Sequence, residues 1–393
     1  MENFEFCVPT RLIVGRKQEE NIGKIIKEYG FKKVLVVYGK SSATKLGLID
    51  IVKEKLPLYN IDYYLFGGVE PNPKLNLVIE GIKVVKEKNI DFILAIGGGS
   101  AIDTAKLIAV GTYYEGNPYD FIEKIATPKK ALPIGTILTI SAAGSEMSTS
   151  CVVSDPSRNQ KKGFNSSFVR PLFSILNPEL TYTVNKYHTA CGIVDIMMHT
   201  IERYFNPSSE YELADDIALS ILKSVVKSAK IVMENPTHYE ARRNIMLAGA
   251  ISHNGITGIG KNTLMTVHQL EHALSGLYDF VAHGAGLAVL FPVWAMVYYK
   301  SDLKKFSCFA KEVMGINKES EEEQAVEGII ATRQFFKSLG MPVCFKDLGI
   351  ENPDIEALLN ILFDKRETIR SVNDVMDRKM AEKIYKLCLK EDF

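Results

Sequence analysis

Along the first 180 or so residues, near-continuous apolar runs alternate with segments in which apolar residues recur every three to four positions. The runs are KKVLVVYG (32–39), IDYYLFGG (61–68), IDFILAIGGGS (90–100), ALPIGTILTIS (131–141) and PLFSILNP (171–178). A strand that is apolar without alternation is buried on both faces, the signature of a parallel sheet covered by crossover helices. The intervening segments supply those helices: one through Leu56, one over Lys74 to Lys88, and one over AIDTAKLIAVG. The pattern predicts a doubly wound α/β domain. From about Thr183 the β-branched runs give way to one long helical period after another, which predicts an all-helical second domain. The boundary is set at 1–182 and 183–393. With no repeat or low-complexity linker, the two domains are expected to pack with a cleft between them.

The strongest chemical signal lies in the helical half. HQLEHALSGLYDFVAH (268–283) holds three of the seven histidines, and its apolar spacing puts His268 and His272 on one face of a helix, with His283 after a break. GIVDIMMHTIERYF (192–205) repeats the spacing with Asp195 and His199. One carboxylate with imidazoles suits a borderline divalent ion, Fe2+ or Zn2+, and not calcium or magnesium, which want oxygen.

Composition narrows the class. The 47 basic and 47 acidic residues cancel, which gives no electrostatic footprint for a nucleic acid; runs such as KKFSCFAK and KESEEE read as solvated helix faces. Six scattered cysteines without a CxxC pair fit reduced thiols in a cytoplasm. The N-terminus has no long apolar stretch, and the uncharged run from Gly284 to Tyr299 is short for a bilayer and broken by Pro292, so neither export nor a membrane span is expected.

In the first half, AIGGGSAIDTAK ends a buried strand with Gly97, Gly98 and Gly99, and Ser100 opens a helix whose first N–H groups favour a pyrophosphate. Asp103 complements the dipole of that helix or contacts the ligand. LTISAAGSEMSTS (138–150) follows another strand, where Thr139, Ser141 and Ser148 could hydrogen-bond a nucleotide. Lys161 and Lys162 follow in a polar loop.

The GGGSAIDTAK turn, the Gly-Ser-Glu at 144–146, the Asp195–His199 pair and the HxxxH with a later His-Gly together resemble the iron-containing (group III) alcohol dehydrogenases, in particular the butanol dehydrogenase-like branch. The resemblance carries past Tyr299, beyond which no motif is found. It implies an NAD(P)-binding domain, a helical domain, and a catalytic Fe2+ or Zn2+. Its ligands would be Asp195, His199, His268 and His283, with His272 near the substrate as a proton relay and not a ligand. Gly97, Gly98, Gly99, Ser100 and Asp103 match the pyrophosphate turn, Thr139 and Ser148 the adenine and ribose contacts, and Lys161 a lysine near the nicotinamide ribose. SAAGSE departs from the family, where a Thr commonly precedes the Gly.

The reaction so implied is hydride transfer between a nicotinamide cofactor and a small apolar primary alcohol or aldehyde, such as butanol or butanal, with the metal lowering the pKa of the alcohol. Ile196, Met197, Met198, Leu264, Leu277 and Phe280, on the metal-bearing stretches, point to an apolar substrate and away from the glycerol dehydrogenase or dehydroquinate synthase types of the same fold. A nucleotide-binding regulatory protein with a structural metal is the alternative of another class. KKVLVVYGKSS ends in Gly39 where NAD-preferring folds place an acid, and Lys40, Ser41 and Ser42 follow, so NADP(H) is expected over NAD(H). FEFCVPTRLIVG reads as an early strand, and edge-strand pairing, common in the resembled family, implies a homodimer.

Overall fold

The computed structural model describes residues 3–155, 160–207, 212–364 and 366–392. Two compact units emerge: Cys7–Thr183, and the chain from Val184 onward joined by the N-terminal residues through Phe6.

The first unit is a six-stranded parallel sheet. Its strands are β1 (Arg11–Val14), β2 (Lys33–Gly39), β3 (Asp62–Val69), β4 (Phe92–Gly97), β5 (Ile134–Leu138) and β8 (Phe173–Leu176), in the spatial order β1-β8-β5-β4-β2-β3. Helices α1 (Ile22–Glu28), α2 (Ser42–Lys45), α3 (Leu48–Lys55), α4 (Leu75–Lys88) and α5 (Gly99–Gly111) fill the crossovers. On one face, Val34, Val36, Phe92, Leu94, Ile96, Ile137, Phe173 and Ile175 pack with Ile22 and Ile26 of α1 and Leu48 and Val52 of α3. The alternate residues Leu35, Val37, Ile93 and Ala95 are equally buried on the other face, where α5 runs against β4 and β2. Burial on both faces is why the strands read as unbroken apolar runs.

From β2 the chain steps outward to β3, then back across β2 to β4. The direction of winding therefore reverses between β2 and β4, and open α/β sheets bind ligands outside the carboxyl ends of the strands at such a point. The register Tyr38↔Ile96 brings Gly39 and Gly97 to that end together.

An antiparallel hairpin, β6 (Ser150–Asp155) with β7 (Gln160–Asn165), was not expected; Lys161 and Lys162 belong to β7 and not to a polar loop. Lys161 is buried and Lys162 half-buried. SCVVSD and QKKGFN carry too little apolar alternation to announce strands. The hairpin forms because β6 docks on α5 through polar groups described below.

The second unit contains α6 (Lys186–Tyr204), α7 (Glu212–Glu234), α8 (Tyr239–Ser252), α9 (Thr266–Leu277), α10 (His283–Tyr298), α11 (Leu303–Glu312), α12 (Glu321–Ser338), α13 (Ile355–Phe363) and α14 (Arg378–Leu387). Among the described residues it is helical apart from one small hairpin, β9 (Thr368–Ser371) with β10 (Asp374–Asp377), a small addition to the all-helical domain expected. Four-residue strands are too short to show a period, and tertiary bonds fix them: Thr266 Oγ1 donates to Arg370 O (2.8 Å) and Trp294 Nε1 to Ser371 Oγ (2.9 Å). Among the described residues no helix is long and apolar enough to cross a membrane. All six cysteines are free thiols.

Candidate metal centre and nucleotide turn

Helix α6 is capped by Asn185, whose side chain accepts from His188 N (2.8 Å), and is buried continuously from Thr189 to Tyr204. Asp195 and His199, one turn apart, therefore sit inside the helical unit. Helix α9 starts after Met265, held in the left-handed region at φ 51°. Its first N–H groups meet Glu202 of α6: Val267 N donates to Oε1 (2.6 Å) and His268 N to Oε2 (3.2 Å). A carboxylate at a helix N-terminus satisfies donors that have no partner within the helix and complements the dipole. The same Oε2 makes a short contact to His268 Nδ1. One acid thus fixes both the start of α9 and the orientation of its first histidine.

Helix α10 begins at His283. A Cβ at Gly284 would fall 2.1 Å from Cys191 O of α6, and one at Gly286 would fall 2.9 Å from Glu271 Cγ of α9. Glycine at these two positions lets α10 close on both other helices. Glu271 in turn holds His283 Nδ1 through a short contact.

Three imidazole nitrogens then converge on one carboxylate oxygen. His199 Nδ1 lies 3.4 Å, His268 Nε2 3.6 Å and His283 Nε2 3.7 Å from Asp195 Oδ1. Asp195 Oδ1, His199 Nδ1 and His268 Nε2 are buried without a hydrogen-bond partner. Leaving such atoms unsatisfied costs about 1–3 kcal/mol each, so a fold that gathers three of them at one point is prepared for a ligand that bonds them all. A divalent ion is that ligand, and the N3O donor set suits iron or zinc. Electrostatics agree with a site built for positive charge. Burial lowers the His268 pKa, but the carboxylates of Glu202 and Asp195 more than offset it and raise it to about 9. Burial, then the neighbouring His253 and His268, push His199 well below the ordinary range, whereas the carboxylates around His268 favour a positive charge there, supplied by a proton that a divalent ion would displace.

The four residues named from the sequence as ligands are therefore brought together. His272 stands beside them, its ring 5.4 Å from that of His283 and 6.3 Å from that of His268. Sequence reading missed Glu202 and Glu271, the carboxylates behind the ligands, and His253, whose ring lies 4.0 Å from that of His199. Glu202 falls seven residues after Asp195 on the same helical face, a spacing that could have found it. Ile196, Met197 and Met198 are fully buried in the helical core and Phe280 is 67% exposed.

In the sheet unit, Gly97 ends β4 and α5 begins at Gly99. A Cβ at Gly98 would come 2.3 Å from Ile140 Cγ2, so the glycine brings the loop after β5 against the turn. Thr139, buried, ties that loop down by donating its N–H to Gly97 O (3.1 Å). Ser100 and Ser141 are half-buried at this edge, and Gly39, Lys40, Ser41 and Ser42 follow the neighbouring strand end.

Asp103 and Ser148 require correction as nucleotide contacts. The buried carboxylate of Asp103 accepts from Ser145 Oγ (2.5 Å) and Val152 N (3.0 Å). Lys106, fully buried, donates to Ser148 O (3.0 Å), Ser148 Oγ (3.2 Å) and Ser150 O (2.7 Å), and Ser150 N donates to Ser148 Oγ (3.2 Å). Burial pushes the Asp103 pKa up and the Lys106 pKa down, each opposed by the charge of the other, and Lys161 adds to the field at Asp103. These groups fasten α5 to the 145–152 segment and the β6-β7 hairpin. They hold the turn in place through bonds within the protein.

Two family models match the chain: iron-containing alcohol dehydrogenase over residues 9–178, and the Fe-containing alcohol dehydrogenase family, C-terminal, over residues 189–388. The second extends well beyond Tyr299, where the sequence motifs ran out. The chain is 42% identical over 361 residues to the NADH-dependent butanol dehydrogenase A of Clostridium acetobutylicum, spanning 91% of this chain and 92% of the relative. It is 32% identical to the NADPH-dependent aldehyde reductase of Escherichia coli, over 98% of this chain and 99% of the relative. A crystal structure of an NADH-dependent butanol dehydrogenase A from Thermotoga maritima aligns with a TM-score of 0.95 at 36% identity, covering 99% of each chain. With a parallel-sheet unit, a helical unit and an Asp-His-His-His cluster in place, the chain belongs to the iron-containing alcohol dehydrogenase family, on its butanol dehydrogenase branch, an oxidoreductase of nicotinamide and a divalent metal.

Proposed function

We propose that this protein interconverts a short apolar primary alcohol and its aldehyde, butanol and butanal being the test pair, with one Fe2+ or Zn2+ held by Asp195, His199, His268 and His283. The observation that carries this reading is the meeting of three buried, unpartnered ligand atoms within 3.6 Å of Asp195 Oδ1 or on it, with His283 Nε2 at 3.7 Å. The ion, when bound, polarises the substrate oxygen while the nicotinamide exchanges hydride with the attached carbon. Glu202 and Glu271 hold the Nδ1 atoms of His268 and His283, which fixes both rings with Nε2 toward Asp195. His272, beside His283, carries the hydroxyl proton to or from solvent. The choice of an apolar substrate is supported by the butanol dehydrogenase name of the Clostridium acetobutylicum relative.

NADP(H) is the favoured cofactor in this reading, with NAD(H) accepted. Gly39 places no acid at the end of β2, while Lys40 and the exposed Ser41 and Ser42 can donate to a 2′-phosphate. The relatives divide on this point, the Clostridium acetobutylicum protein being named for NADH and the Escherichia coli one for NADPH. The protein is expected to work in the cytoplasm as a homodimer joined through the edge strand β1; sedimentation as a monomer at micromolar concentration would remove the dimer.

The direct test is oxidation of NADPH and NADH with butanal and with a polyol-derived aldehyde, before chelation, after it, and after reloading Fe2+ or Zn2+. Turnover of butanal should vanish on chelation and return with the ion. Faster turnover of the polyol-derived aldehyde would move the substrate to the glycerol dehydrogenase type, and turnover indifferent to chelation would overturn the metal's role.

A further inference from the structure

The end of β2 lacks an acid in sequence, yet the sheet supplies one from the neighbouring strand. Gly39 pairs in register with Val69, the last residue of β3, so Glu70 stands next to the turn that Gly39 opens. Lys40 Nζ forms an ion pair with the Glu70 carboxylate, and the two side chains are 66% and 46% exposed. The site is roomy: a Cβ at Gly39 would approach only Val69 O at 3.6 Å and Ser42 Oγ at 3.9 Å. The pair lies one strand away from the Gly97–Gly99 turn, on the side where the winding of the sheet reverses. A dinucleotide whose pyrophosphate rests at that turn carries its adenosine ribose toward the end of β2.

We propose that Glu70 is the residue that sets the preference between NADP(H) and NAD(H). This rests on the reading above, in which Lys40 recognises a 2′-phosphate, and adds a competitor for that lysine. An exposed ion pair is weak, so Lys40 can leave Glu70 for a phosphate that carries more charge. The exchange moves Lys40 from Glu70 to the phosphate and sets the Glu70 carboxylate beside it, a like-charge contact that penalises NADP(H). With a ribose 2′-hydroxyl the balance reverses: the carboxylate accepts from the hydroxyl and Lys40 stays with Glu70. The protein therefore handles both cofactors, and the ratio is written in a residue that a scan of the β2 end alone does not reach.

Calorimetric titration of the metal-loaded protein with 2′,5′-ADP and with 5′-ADP isolates the 2′ substituent without turnover. Glu70→Gln should bind 2′,5′-ADP about tenfold more tightly, the size of a unit-charge interaction at a partly solvated site, and change 5′-ADP by less than about threefold. Lys40→Gln should weaken 2′,5′-ADP alone. If Glu70→Gln leaves 2′,5′-ADP unchanged or weaker, the role of Glu70 is overturned, even where Lys40→Gln behaves as expected. If Lys40→Gln has no effect while Glu70→Gln tightens binding, the lysine reading fails and Glu70 stands as a repelling acid.

Discussion

The metal centre and the nucleotide turn use their polar side chains in opposite ways. At the metal centre Asp195, His199, His268 and His283 turn their donor atoms toward one another, and carboxylates behind them fix the rings. At the turn Asp103, Lys106 and Ser148 spend their donors and acceptors on the protein itself. What is left at that end of the sheet is backbone and small side chains, the Gly97–Gly99 turn with the half-buried Ser100 and Ser141. An ion has no shape to offer and must be held by directed side-chain atoms, whereas a dinucleotide phosphate can be held by main-chain N–H groups once the loop is rigid. Buried polar groups that look alike in a sequence thus serve as ligands in one unit and as fasteners in the other.

This contrast can be broken with four substitutions. The largest effect belongs to a ligand. His268→Ala should lose bound metal, measured by elemental analysis after dialysis, together with all aldehyde reduction, whereas His272→Ala should keep the metal and lose about 10²- to 10⁴-fold in rate, the range of a general acid or base. Equal loss of metal from both variants would make His272 a ligand and undo the assignment. Next comes the fastener. Lys106→Met leaves the buried Asp103 carboxylate and two carbonyls without their cation and should cost about 3–5 kcal/mol in denaturant unfolding, with metal content per folded protein unchanged. A variant as stable as the parent would show that Lys106 does not hold the turn. The smallest effect is expected from a carboxylate behind a ligand: Glu202→Gln keeps one acceptor for the α9 cap but loses the carboxylate's hold on His268 Nδ1, so metal affinity should fall about 10- to 100-fold. An unchanged affinity would reduce Glu202 to a helix cap.

The two helical pairs of the candidate metal centre were legible because their spacing is local. Asp195 with His199, and His268 with His272, are one helical turn apart in apolar surroundings, and the helix places each pair on one face without any tertiary information. Separating His272 from the ligands needed more than spacing, and came only with the family resemblance. The role of Glu202 escaped notice for a different reason: it acts on α9 from α6, sixty-six residues before His268, and only the packing of those two helices brings them together. Glu70 escaped for the same reason, since parallel register, and not sequence distance, sets it beside Gly39.

By itself, then, the sequence determined the alternation of buried strands and helices in the first unit, the helical character of the second, and the two one-turn pairs Asp195–His199 and His268–His272, because each depends on periodicity within one element. Only the tertiary structure decided which polar residues face a ligand and which face the protein. It turned Asp103 and Ser148 inward, buried Lys161 in a strand, placed a hairpin after α13, and set Glu202, Glu271 and Glu70 behind or beside groups far from them along the chain. The direction of a buried side chain is fixed by whichever element packs against it, and that neighbour is not encoded in the spacing of its own segment.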